Sequence, residues 1–290
     1  MIEKALVVGG GGPAGMAWEA GIAAGLHAEG IYLTAADRII GTSAGSFIGA
    51  QLAAGVSPGA IYNDQIALGE RAAMRSTETL KSASSAPKPD ITALLSIVMR
   101  PMAEGETREQ RRAEMGQLAL QTPAMTEDAF IDVFRPALRS LTWPAQFVCT
   151  AVDAMTGEFK VWGQADGVDL ARAVASSCSV PGVYPPITLK GRRYIDGGLR
   201  SPTCIDLAAG AGRVVTLAVA GAMGPELQHG PVPGEVKMLG AALHALIAPD
   251  SSSLAAIGPN IMDMENRTVI AIAGFEQGRR EADRIAEFWR

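Results

Sequence analysis

Two short apolar runs, each ending in glycine and each followed by a stretch of small helix-forming residues, restrict the start of this chain to folds built on a parallel sheet. Ala5-Leu6-Val7-Val8 leads into Gly9-Gly10-Gly11-Gly12, and the segment from Met16 to Glu29 reads as a helix closed by Gly30. Arg38 to Ile40 supplies a second strand. It runs into Gly41-Thr42-Ser43-Ala44-Gly45 and then into a helical stretch from Ala44 to Ala54, with Gly55 as its stop. Short continuous apolar runs suit strands buried on both faces, and the βαβα order is that of a mostly parallel sheet.

The 290 residues are 48% apolar, enough for one large core, and predict a single domain over 1–290. A change of pattern over 57–137, with helices and polar connectors but no strand signal, predicts a helical insertion lying over the sheet. The formal net charge of -5 gives no basic face for phosphate neutralisation, so nucleic acid is not an expected partner. The N-terminus enters its first strand without a secretory pattern, and no apolar run reaches the roughly 18 residues needed to cross a bilayer. Cys149, Cys178 and Cys204 are few, odd in number and without ligand spacing, which predicts reduced thiols and no metal. The expectation is a cytoplasmic protein, with peripheral contact at a membrane surface as its only membrane association.

Further along, Ser82 to Pro89 is a soft Ser/Pro/Lys stretch, and Arg108, Arg111 and Arg112 are expected on a solvated helix face. Strands are predicted over 145–152 and 158–162, a helix capped by Asp169 and ending at Ser177, and a proline-rich loop from Ser179 to Pro186. Ile187 to Leu189 and Arg192 to Ile195 form a hairpin around Lys190-Gly191. The remaining pattern predicts a strand over 213–219, a helix over 235–247, a strand over 267–273 and a closing helix over 276–290.

Ser43 sits where a strand turns sharply into a helix, and Gly41 and Gly45 on either side let the chain pass and a substrate carbonyl approach. This is the setting of a serine nucleophile; its bland alternative is a helix cap. The loop Gly10-Gly11-Gly12-Pro13-Ala14-Gly15 has two uses. It satisfies the dinucleotide pattern GxGxxG, which makes an FAD- or NAD-binding oxidoreductase an alternative, with Glu29 and Asp37 near the spacing for the ribose-binding acid. It also exposes backbone N–H groups of Gly10, Gly11 and Gly12 at a helix N-terminus, where an oxyanion can be held. For the base, His27, His229 and His244 lack a catalytic setting. Asp196 ends a strand and is followed by Gly197 and Gly198, which permit a tight turn and close packing beside Ser43. Met74, Leu94, Leu95, Ile97, Val98, Met99 and Met102 are candidates for an acyl channel, with plain core as the alternative.

Val8 to Gly15 (VGGGGPAG), Gly41 to Gly45 (GTSAG), Ser176 to Pro186 (SSCSVPGVYPP) and Asp196 to Gly198 (DGG) together resemble, in order and spacing, the motif blocks of bacterial patatin-like phospholipases. The resemblance runs from Leu6 to about Asp206. It implies a three-layer α/β/α patatin-like fold with a mostly parallel central sheet, and a serine lipid acyl hydrolase using a Ser43–Asp196 dyad without cofactor or metal. By position, Gly10, Gly11 and Gly12 resemble the oxyanion loop, and the substrate implied is a lipid or other acyl ester. A catalytically idle lipid-binding module of the same fold is the remaining alternative. One departure concerns the family's frequent Arg or Lys after the glycine run, where this chain has Ala14.

Overall fold

The computed structural model describes residues 2–79, 91–122, 125–219, 233–240 and 242–289; Ser82 to Pro89 and His229 lie outside them. Among the described residues the strands form one sheet: β1 (Lys4–Val8), β2 (Arg38–Gly41), β3 (Phe147–Asp153), β4 (Phe159–Gly163), β5 (Ile187–Leu189), β6 (Arg192–Asp196), β7 (Arg213–Leu217) and β8 (Leu243–Ile247). Their order is β5-β6-β3-β2-β1-β7-β8, with β4 also paired to β3. The run from β3 to β8 is parallel, while β4, β5 and β6 pair antiparallel. The helices are α1 (Gly12–Ala28), α2 (Ala44–Ala53), α3 (Pro58–Thr79), α4 (Thr92–Met99), α5 (Arg108–Gln121), α6 (Glu127–Leu138), α7 (Leu170–Ser177), α8 (Pro233–Val236), α9 (Ser251–Ile257) and α10 (Arg267–Trp289).

Strand alternation divides the core in two. Leu6, Val8, Ile39, Val215 and Leu217 pack toward the main helical layer, whereas Ala5, Val7, Ile40 and Val214 pack against Ile205, Ala208 and Leu239 on the opposite face. Both faces are therefore dry, as the continuous apolar strands require. The main layer is centred on α1, whose residues from Pro13 to Leu26 are all buried. α1 is wrapped by α2, α3 and α10. It lies unusually close to α10 because glycines face each other: a Cβ at Gly21 would come 2.7 Å from the Phe275 nitrogen, and one at Gly25 would come 2.9 Å from the Arg279 nitrogen. Gln277 fastens this contact, accepting from Trp18 Nε1 at 3.0 Å and donating to the Ala248 carbonyl at 2.7 Å.

The helices between β2 and β3 distribute themselves around the sheet. α3 packs on α1 and α10, α6 on α2 and α7, and α5 against β3 and β6, with α4 resting on α5. Of the apolar residues expected to line a channel, Leu94 is buried, whereas Met74, Val98, Met99 and Met102 are exposed. The Lys190-Gly191 hairpin forms as expected, both residues adopting positive φ (50° and 75°), and Asp169 caps α7 by accepting from the Arg172 N–H at 2.9 Å.

Three expectations fail. The stretch predicted as a helix over 235–247 keeps only a short helical start, and Leu243–Ile247 pairs in parallel with β7. Its alanine-rich pattern suits a helix, but Gly240 interrupts it and the open edge of β7 offers hydrogen bonds that local propensity cannot match. The predicted strand over 267–273 is the first half of α10. Its β-branched residues Val269 and Ile272 are exposed while Arg267, Ile270, Ala271 and Gly274 are buried, a helical spacing imposed by docking on α1. Finally, Arg111 and Arg112 are not solvated. Arg111 donates to the Arg100 and Pro101 carbonyls and pairs with Glu106, and Arg112 donates to the Gly157 carbonyl at 2.7 Å and pairs with Glu109.

Candidate active site

Parallel strands end on the same side of a sheet, so the loops that leave β1 and β2 meet there. β3 stands between β2 and β6 and sets the level of Asp196. Gly41 is opposite Cys149, and Asp196 is opposite Ala151 two residues further on, which places it beside Ser43. The Thr150 hydroxyl donates to Thr42 Oγ1 at 3.0 Å and ties the two levels together.

Ser43 occupies φ 52°, ψ -122°, a conformation that costs a side-chain-bearing residue on the order of 1–3 kcal/mol and is held only where the surroundings enforce it. They do so on several sides. The Ser43 N–H donates to Ser177 Oγ at 2.9 Å, and its carbonyl accepts from Ser46 Oγ at 2.6 Å and from Cys178 Sγ at 3.1 Å. The Gly45 N–H donates to the Gly9 carbonyl at 2.9 Å, and a Cβ on Gly45 would collide with the Val8 carbonyl. Gly41 is similarly confined, since its Cβ would lie 2.5 Å from Ser46 Cα. The turn is therefore a consequence of side chains too small to prevent it.

Ser43 Oγ donates to Asp196 Oδ2 at 2.8 Å. The second carboxylate oxygen, Oδ1, accepts from the Gly198 N–H at 2.7 Å, and the Asp196 N–H donates to the Ser179 carbonyl at 3.0 Å. Gly197 passes so close to Thr150 that a side chain would not fit. Both members of the pair are buried, at 8% and 4% exposure. Burial pushes the Asp196 carboxyl up to about 7, against the opposing pull of the Gly198 N–H and the Ser43 hydroxyl. A carboxylate that is only half ionised at neutral pH is suited to taking and returning a proton.

The glycine loop lies against this pair. A Cβ on Gly10 would be 3.4 Å from Ser43 Cβ, but the Gly10 N–H already donates to the Pro202 carbonyl at 2.8 Å, so the expectation that it supplies a free donor is corrected. No hydrogen bond among the described residues engages the N–H groups of Gly11 and Gly12, which sit at the start of the long buried α1. Gly12 has φ 58°, and Ala14, two residues on, is buried, its N–H donating to the Ile261 carbonyl at 3.0 Å.

The other sequence candidates lie elsewhere. His244 is on β8, hydrogen-bonded to Thr216 at 3.1 Å, and His27 packs edge-on against Tyr32. The dinucleotide alternative needed an acid closing the second strand. Asp37 precedes β2 and accepts the Glu3 and Lys4 N–H groups at 2.8 and 3.0 Å, and Glu29 pairs with Arg279 at the far end of α1. Neither fits the ribose role. Among the described residues no His/Cys/Asp/Glu cluster could hold a metal, and no helix is long and apolar enough to cross a membrane.

The model of the family described as patatin-like phospholipase matches residues 6–209. The chain belongs to that family. Its mixed α/β fold, with a mostly parallel sheet flanked by helices, is the patatin-like fold, and membership makes it a lipid acyl hydrolase. Among solved structures, VipD from Legionella pneumophila is similar at 13% identity and a TM-score of 0.47, over 98% of this chain and 67% of VipD. The type III effector protein ExoU is similar at 16% identity and a TM-score of 0.40, over 97% of this chain and 53% of ExoU. No curated protein matches the chain.

Sequence reasoning singled out Ser43, Asp196 and the Ser176 to Pro186 block but not the contacts by which that block supports them in this patatin-like chain: Ser177 under the Ser43 N–H, Cys178 under its carbonyl, and Ser179, which accepts the Asp196 N–H and donates to the Pro185 carbonyl. The signal was the string Ser176-Ser177-Cys178-Ser179, four consecutive small polar residues of which every one is buried.

Proposed function

We propose that the chain cleaves acyl esters of lipids through a Ser43–Asp196 dyad. The observation that carries this reading is the 2.8 Å hydrogen bond from the Ser43 hydroxyl to a buried carboxylate. Ser43 Oγ attacks the ester carbonyl carbon as its proton passes to Asp196 Oδ2, and the carbonyl oxygen becomes a tetrahedral oxyanion. The N–H groups of Gly11 and Gly12, which no described residue engages and which lie at a helix N-terminus, receive that charge. Collapse of the intermediate expels the alcohol, which takes the proton from Asp196 and leaves an acyl-Ser43 ester. Water then loses a proton to Asp196 as it attacks, and the fatty acid departs with Ser43 restored. Lysophospholipids, phospholipids and neutral acyl esters all present the required carbonyl. We also assign residues 1–290 to one hydrolase domain, with 57–137 forming helices around its sheet.

Fatty-acid release from p-nitrophenyl esters and lysophospholipids, run beside the Ser43→Ala variant and with fluorophosphonate labelling, tests the reading. Labelling and turnover should both vanish in the variant, since loss of a nucleophile costs on the order of 10⁶ in kcat. Turnover that survives Ser43→Ala would remove Ser43 from the chemistry, and a wild type that neither labels nor turns over would favour the idle binding module.

A further inference from the structure

Arg267 opens α10 and is 5% exposed. Its Nη2 meets only the thioether sulfur of Met16 at 3.7 Å, its Nε is buried without a hydrogen-bond partner, and among the described residues no carboxylate pairs with it. Nη1, by contrast, is not among the sealed atoms, which leaves one arm of the fork reachable. Among the described residues the other deeply buried arginine, Arg112, shows the usual arrangement, with a backbone carbonyl on Nε and Glu109 on Nη2. A guanidinium carries five donors in a planar fork matched to carboxylate and phosphate, and leaving most of them unmet inside a protein is costly. Loss of water pulls Arg267 down to about 10, so it remains charged at neutral pH.

Its position connects this free charge to the proposed dyad. Met16 lies one turn into the helix that starts at Gly12, and the segment leading to Arg267 touches the same loop, where the Ile261 carbonyl accepts the Ala14 N–H. On the other side Arg267 is within electrostatic reach of the Tyr184 phenol. Tyr184 stacks on Phe130 and belongs to the loop whose Ser179 carbonyl holds the Asp196 backbone. Arg267 thus touches α1, which starts at the glycine loop beside Ser43, and faces the loop that also holds the Asp196 backbone.

We propose that Arg267 recognises a phosphate-type oxyanion carried by the acyl substrate, selecting phosphate-bearing lipids over neutral ones. This rests on the reading of Ser43 as the hydrolytic nucleophile. The comparison that tests it uses 1-palmitoylglycerol 3-phosphate and 1-palmitoylglycerol, identical but for the phosphate, with wild type, Arg267→Met and Arg267→Lys. Arg267→Met should lower kcat/KM for the phosphate lipid by about 10- to 100-fold, mainly through KM, and change the neutral lipid by less than about 2-fold. Arg267→Lys should recover part of the loss. Equal loss on both lipids, or none on either, overturns the proposal.

A second measurement does not depend on turnover. Inorganic phosphate should raise the Tm of wild type and leave that of Arg267→Met unmoved, while in chloride Arg267→Met should melt at or above wild type because an unpaired buried charge is gone. A structural arginine would give a lower Tm in chloride and overturn the proposal. Phosphate stabilisation without discrimination between the two lipids would mean a site for free phosphate and also overturn it. If Ser43→Ala leaves hydrolysis of both lipids unchanged, the nucleophile reading fails, and the phosphate shift alone then decides whether Arg267 binds an oxyanion. Should Arg267→Met not fold, Arg267→Lys carries both measurements, with a reduced phosphate shift expected.

Discussion

Asp196 and Arg267 are both charged groups withdrawn from water, yet their surroundings differ. Asp196 has a donor on each oxygen, the Ser43 hydroxyl and the Gly198 N–H, and its carboxyl is pushed up to about 7 all the same. Arg267 has a sulfur on one arm and an orphaned Nε. A carboxylate fixed at both oxygens is oriented for one proton transfer, whereas a guanidinium with open donors is arranged for a group that comes from outside. The first arrangement suits chemistry and the second suits recognition, and the difference lies in the hydrogen bonds rather than in the burial they share.

Substitution at the carboxylate should break the comparison hardest. Asp196→Asn keeps the shape and the Gly198 contact but removes the base, so kcat for ester hydrolysis should fall on the order of 10⁴-fold or more. Retention of turnover would show that another group takes the Ser43 proton. His244→Ala is the control, and its kcat should stay within about 2-fold because His244 lies on β8 against Thr216.

The pH profile comes next in size. Only ionised Asp196 accepts a proton, so kcat/KM should rise with pH and level off above about 7, falling roughly tenfold per unit below it. A profile flat from pH 5 to 8 would contradict the buried, desolvated carboxylate.

A subtler comparison uses stability. Asp196 has a folded-state value above the unfolded 3.8, so its contribution is most favourable below about 4 and is lost as pH rises through about 7. Asp196→Asn should therefore melt higher than wild type at pH 8, by on the order of several degrees, and lose that advantage near pH 4. Arg267 is shifted the other way, down to about 10, and its cost is present throughout that range. Any gain in Tm from Arg267→Met should accordingly persist from pH 4 to 8. Thermal melts at the two pH values separate the cases.

The smallest expected effect concerns the elbow. Ser177→Ala removes the acceptor of the Ser43 N–H. Losing that bond in a buried, strained turn should lower kcat about 10-fold and Tm by a few degrees, with little change in KM. An unchanged kcat would show that the turn is held by Gly9 and Cys178 without it.

The front of the molecule was legible because its signals are local. A glycine run after an apolar strand and a serine bracketed by Gly41 and Gly45 state what the backbone must do, and β1, α1, β2 and α2 follow them. The hairpin at Lys190-Gly191 and the Asp169 cap were legible for the same reason. In the C-terminal third the strand over 213–219 and the closing helix were legible, but 243–247 and 267–273 were not, because their fates are set by the vacant edge of β7 and by the Gly21/Gly25 face of α1. Arg111 and Arg112 were misjudged likewise: nothing in a charge run reveals that Pro101 and Gly157 carbonyls will face it. The engaged N–H of Gly10 depends on Pro202, some 190 residues away.

The amino-acid sequence by itself determined the parallel βα start, the strained turn at Ser43 and the identity of a serine and an aspartate as a potential pair, since small side chains and apolar runs act over a few residues. Only the tertiary structure decided that β3 spaces Asp196 against Ser43, which glycine N–H groups are engaged by the described residues, and that Arg267 is buried with no carboxylate among them to pair with. Those outcomes depend on contacts between distant segments, and the balance of desolvation and hydrogen bonding at each exists only once the chain has packed.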